Sequence, residues 1–131
     1  MGQYFQKVKN YLLELQLQVS KEDPKEEILI VTDESNGIHN LILDCEEPLL
    51  VLEQVIMPVP SNPDNFFKRL LQINRELIHG AFALDDEGKA VLFRDTLELT
   101  NLDLNELEGS INALSLAMAE YASEFLEYSK G

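Results

Sequence analysis

The chain has 131 residues, 45% hydrophobic and 26% charged, a balance that supports one folded domain over residues 1–131 and needs no staple. Its 24 acidic residues outnumber the 10 basic ones, and the resulting net charge of −14 repels a phosphate backbone, so nucleic acid is an excluded partner. Cys45 is the single cysteine, so no internal disulfide can form, and no apolar run approaches the ~20 residues that cross a membrane.

Residues 3–20 predict an amphipathic helix, with Tyr4, Phe5, Val8, Tyr11, Leu12, Leu15 and Val19 at helical spacing. The start, MGQYFQKVKNYLLEL, lacks the continuous apolar core of a signal peptide, which favours the cytoplasm. SKEDPKEE then reads as a charged linker around Pro24. Charge is uneven along the chain. Residues 21–60 hold ten acids against Lys21 and Lys25, a net of −8, whereas residues 1–20 carry Lys7, Lys9 and Glu14, a net of +1.

Three strands follow: EILIVTDE, IHNLILDC and LLVLEQVIMPV. Asn36-Gly37 suits the first turn, because both residues tolerate positive φ. Pro58 and Pro60 donate no ladder hydrogen bond, so the third strand ends there or lies at a sheet edge. Strict alternation groups His39, Leu41, Leu43 and Cys45 against Ile38, Asn40, Ile42 and Asp44. In the next strand it groups Leu50, Leu52, Gln54 and Ile56 against Leu49, Val51, Glu53, Val55 and Met57. Neither set is polar enough for a solvated sheet face, so a homodimer partner or a bound polypeptide segment is expected over part of one face.

SNPDNFFKRLLQINRELIHG predicts the second helix, with Asn62 as cap, Pro63 in the first turn and Gly80 at its end. AFAL and AVLFRDTLEL are strands joined by DDEGK. A long last helix begins near Asp103, whose Glu106 three residues on completes a capping box. Leu104, Leu107, Ile111, Leu114, Met118, Tyr121 and Phe125 form its seam, expected to pack against the chain's own sheet rather than in a coiled coil. The order α-β-β-β-α-β-β-α implies an α+β fold with a mainly antiparallel, five-stranded twisted sheet packed by helices.

No catalytic pattern stands out. The acids of the DDEGK turn fail as a calcium loop: with Gly88 sixth, the first ligand would be Ala83 and the twelfth Arg94. His39 and His79 lack ligand-spaced partners, and Glu46 and Glu47 disfavour a thiolate at Cys45. No catalytic residue, metal or cofactor is therefore assigned. An acidic pocket near Asp85, Arg94 and Asp95, serving a small-molecule sensor or an enzyme, is the alternative to a binding protein.

The segment Leu70–Leu107 carries Asn74, then Gly80-Ala81-Phe82-Ala83-Leu84-Asp85, Gly88, Val91, Arg94-Asp95 and Leu102-Asp103. It resembles the signature region of YbjN-type proteins, which share the Tir-chaperone-like fold of the type III secretion chaperones. That resemblance implies a non-enzymatic, dimeric, cytoplasmic protein that engages a polypeptide client or a regulatory partner. Secretion chaperones of this fold hold an unfolded client segment, whereas YbjN-type relatives are labelled sensory-transduction regulators. On this reading Tyr4, Phe5, Val8, Tyr11 and Leu12 are candidates for partner binding. Val55, Met57, Phe66, Phe67 and Leu70 are candidates for a dimer interface.

Overall fold

The computed structural model describes residues 2–130. The elements run α1 (Gln3–Glu14), β1 (Gln18–Asp23), β2 (Ile28–Asp33), a short 3-10 turn (Glu34–Asn36), β3 (Ile38–Glu46), β4 (Leu49–Pro58), α2 (Asp64–Asn74), β5 (Ala81–Leu84), β6 (Ala90–Glu98) and α3 (Leu104–Ser129). They build an antiparallel sheet in the order β1-β2-β3-β4-β6-β5. The α+β class and the sequence of hairpins are as the sequence implies. The sheet, however, has six strands rather than five.

The extra strand comes from residues expected in the first helix and the linker. Helix α1 stops at Glu14, and Gln16 reverses the chain at a φ of 61°. Val19, placed on the helical stripe by spacing alone, instead pairs with Val31 of β2. The free edge of β2 supplies hydrogen bonds that a short polar segment cannot find by itself, and tertiary context decides such cases.

All three helices cover one face of the sheet. Leu29, Val31, Leu41, Leu43, Leu50, Leu52, Val91 and Phe93 bury that face against Val8, Leu12, Phe66, Ile73, Leu107, Leu114 and Phe125. Phe66 and Phe82 each meet Phe125, with ring centroids 6.2 and 5.1 Å away and near-perpendicular planes, a favoured aromatic arrangement. The seam of α3 packs inward as expected, with Leu104 and Met118 half-exposed at its margin. Asp103 caps that helix in a reciprocal capping box with Glu106.

Helix α2 is shorter than its apolar spacing suggested. It begins at Asp64 with Pro63 at the cap position and no side-chain cap from Asn62, and it ends at Asn74. Ile78 and His79 therefore lie in an exposed turn beyond the helix, not on its apolar face or at its C-terminal dipole.

Two bulges alter the strand faces. At β3 the register slips where Asn40 takes a φ of 50°, so Ile38 turns into the core and His39 turns out. At β4 a slip between Val55 and Met57 brings Met57 inward in place of Ile56. An extra residue in one strand inverts the alternation beyond it, and period-2 counting does not register that.

Candidate functional site

The residues of the Leu70–Leu107 signature hold the β5–β6 hairpin in place. Asn74 at the end of α2 accepts the Phe82 N–H at 2.7 Å and donates to the Phe82 carbonyl at 3.0 Å. Its amide thus substitutes for a neighbouring strand along β5. Gly80 sits at a φ of +74°, and a Cβ there would lie 2.5 Å from the Phe93 ring and 3.0 Å from the Arg94 carbonyl oxygen. Asp85 accepts the N–H groups of Lys89 (2.7 Å) and Ala90 (3.2 Å), which hold its carboxyl below the ordinary range. Gly88 adopts the left-handed conformation that this turn requires.

These contacts separate the residues of the suspected acidic pocket. Arg94 pairs with Glu53 of β4 on one face of the sheet. Asp95, the next residue, points to the other side and accepts from Ser110 of α3 at 2.7 Å. Asp85 and Arg94 border a shallow depression of about 450 Å³ with Asp86 and Glu53, but Asp95 does not join them. Among the described residues, no group of three or more His, Cys, Asp or Glu side chains is arranged to hold a metal ion.

The other reactive types are equally occupied. Burial pushes the Cys45 thiol up to about 12, and Glu27, Asp44, Glu46 and Glu47 add to the effect. His39 lies on the surface with Nδ1 2.5 Å from Glu34, across the 3-10 turn. Gln54, buried beneath that turn, accepts from the His39 N–H and donates to the Gly37 carbonyl. Arg69 on α2 makes a two-pronged contact with Glu124 on α3, at 2.5 and 3.0 Å. Neither Gln54 nor the Arg69–Glu124 pair was marked as a contact by the sequence, because the partners lie far apart along the chain.

The expected partner-binding residues divide by depth. Phe5, Val8 and Leu12 are buried in the chain's own core and offer no surface. Tyr4 and Tyr11 are half-buried, and the Tyr11 hydroxyl donates to the Leu102 carbonyl. The dimer candidates divide likewise: Met57, Phe66 and Leu70 are core, Phe67 is half-buried on α2, and Val55 is 63% exposed. Val55 lies on the face of the sheet opposite α2, so Val55 and Phe67 do not form one patch.

That opposite face is uncovered. Strand pairing arranges it in rows that cross the sheet. Ile28, Asp44, Val51 and Thr96 form one row, and Ile30, Ile42, Glu53 and Arg94 form the next. A third, at the far end, holds Val55, Leu92 and Ala83. Apolar side chains therefore stand in the open among carboxylates. The Oδ1 of Asp44 is shut off from solvent with no hydrogen-bond partner, alone in this among the side chains of the described residues. Desolvation raises the Asp44 carboxyl to about 6, a hydrogen bond from its protonated form to Glu46 adds to the rise, and Glu46, Glu26 and Glu53 contribute repulsion.

Comparison with known proteins accords with this architecture. The CesT_Tir_1 family matches the sequence over residues 1–131. Among solved structures, YbjN from E. coli superposes with a TM-score of 0.71 at 15% identity, covering 92% of each chain. A chain of the HopA1–SchA chaperone–effector complex does so at 0.64 and 14% identity, covering 97% of this chain and 94% of that one. A chain of the ExoU–SpcU complex from the type III secretion system of Pseudomonas aeruginosa gives 0.65 and 18%, with 86% and 93% covered. No protein with a curated description matches the sequence.

Proposed function

Because the chain belongs to the CesT_Tir_1 family, that of the type III chaperones, we propose that it is a single-domain, non-enzymatic module that binds another polypeptide and works as a homodimer. It would act in the cytoplasm as a chaperone or a regulator. The observation that carries this reading is the uncovered sheet face, where Ile28, Ile30, Ile42, Val51, Val55 and Leu92 share an open surface with carboxylates. Monomeric proteins seldom leave such a surface without an occupant. Two of the structural neighbours, HopA1–SchA and ExoU–SpcU, are themselves complexes of two proteins, which supports the same use here.

The second copy is best accommodated where Val55, Leu92 and Ala83 meet, since that row carries no carboxylate. Elsewhere a net charge of −14 opposes self-association. Light scattering on the purified protein is expected to give twice the chain mass, and Val55→Glu is expected to halve it. A monomer that also retains no polypeptide on an affinity column would overturn the proposal.

A further inference from the structure

We infer that the Asp44 end of the open face receives an extended polypeptide segment in which an apolar side chain and a Lys or Arg alternate at every second residue. The inference rests on the polypeptide-binding reading and specifies the chemistry of the partner. Six residues build the surface: Ile28, Ile30, Ile42 and Val51 around Asp44 and Glu53. Along β3 the open face reads Ile42, Asp44, Glu46, and along β4 it reads Val51, Glu53, Val55. Residues two apart on a strand stand about 7 Å from each other on one face. An extended partner has the same repeat, so along β4 its contacting side chains would fall in turn on Val51, Glu53 and Val55, apolar, carboxylate, apolar, and beside them on β3 on Ile42 and then the carboxylates of Asp44 and Glu46.

Charge selects the sign of the partner. Asp44 is faced by Glu46 on its own strand, by Glu26 from the β1–β2 turn and by Glu53 from β4. On the same face Asp23 and Lys21 of β1 lie beyond Ile28 and Ile30, and Arg94 of β6 is engaged by Glu53. No cation of the chain pairs with Asp44, Glu46 or Glu26 among the described residues. The Oδ1 of Asp44 is itself closed to solvent, so a lysine or arginine of the partner would act on the cluster as a whole, offsetting the mutual repulsion of Asp44, Glu46 and Glu26. A second copy of this face is a poor occupant, because it would oppose the same carboxylates to one another.

The carboxyl of Asp44, at about 6, also gives the contact a pH dependence. A bound cation favours the ionised form, so affinity for a basic segment rises as pH increases through about 6 and levels off above it.

The test uses the full chain and two synthetic peptides of equal length, repeats of Leu-Ser-Lys-Ser and of Leu-Ser-Gln-Ser, titrated by calorimetry with the mass followed by light scattering. The lysine peptide is expected to bind about tenfold tighter at pH 7.5. Its advantage should shrink towards pH 5. Asp44→Asn should weaken the lysine peptide and leave the glutamine peptide unmoved, while Ile42→Ser should weaken both. Equal affinity for the two peptides would overturn the charge requirement and leave polypeptide binding standing. A lysine preference indifferent to both substitutions would place the contact elsewhere on the acidic surface and overturn this assignment. Binding of neither peptide, with Ile42→Ser converting a dimer to a monomer, would make the face a contact between two copies. Binding of neither peptide with the mass unmoved would remove both the inference and the polypeptide-binding reading at this face.

Discussion

The two faces of one sheet have opposite chemistry. Beneath the helices strands β2 to β6 contribute buried Leu, Val or Phe, and the buried Gln54 has both ends of its amide bonded. Across the same strands, one residue away, Ile28 and Val51 flank a carboxylate with a buried and partnerless oxygen. A face optimised for stability would not keep that carboxylate, since an unsatisfied buried acceptor and clustered like charges both work against folding. The helical face holds the fold together, and the open face is left for something else to complete.

Phe66→Ala should break the covered face most severely. Its ring is fully buried against Phe67, Phe125 and Tyr128, and a loss of about 4 kcal/mol is expected in urea unfolding. A loss below 1 kcal/mol would mean that this face is not the stabilising one. Gly80→Ala tests the join between α2 and β5. The left-handed backbone and the Phe93 ring in the way of a Cβ predict a loss of about 2 kcal/mol by thermal denaturation.

Asp44→Asn should act in the opposite direction. Below about pH 4 the native carboxyl is protonated in both folded and unfolded chains and contributes no pH dependence. Between its ordinary 3.8 and about 6 the folded chain keeps a proton that the unfolded chain has lost, so stability falls as pH rises. Replacing the carboxyl should flatten that slope and raise stability at pH 7, by about 1 kcal/mol at most because the open face is screened by solvent. A pH–stability curve unchanged by the substitution would remove Asp44 from the account. The smallest effect on the fold of the single chain is expected for Val55→Ser, within about 0.5 kcal/mol by chemical denaturation at a protein concentration low enough to dissociate a dimer, even though it lies in the same strand as the core residues Leu50 and Leu52.

Much of the scaffold was legible in the chain. The capping box of Asp103 and Glu106, the Gly88 turn and the inward seam of α3 are local signals, each set by side chains within a few residues or by helical spacing. Strand β1 was not legible, because a polar segment such as QVSKED becomes a strand only where a neighbouring edge supplies its hydrogen bonds. The candidate site was half legible. Counting alternate residues in β3 and β4 showed two faces that were both partly apolar, but the bulges at Asn40 and beyond Val55 decided which residues each face holds. Phe5, Val8 and Leu12 looked available on a helical wheel, yet the sheet they cover claims them.

The sequence by itself determined the class of fold, the excess of negative charge and the Leu70–Leu107 signature, since these follow from local pattern and composition. Only the tertiary structure decided that Arg94 and Asp95 face opposite ways, that Asp44 keeps an unpaired oxygen among isoleucines, and which face is open. The reason is physical. A face, a bulge or a missing partner is a relation between strands distant in sequence, and it exists only once they are side by side.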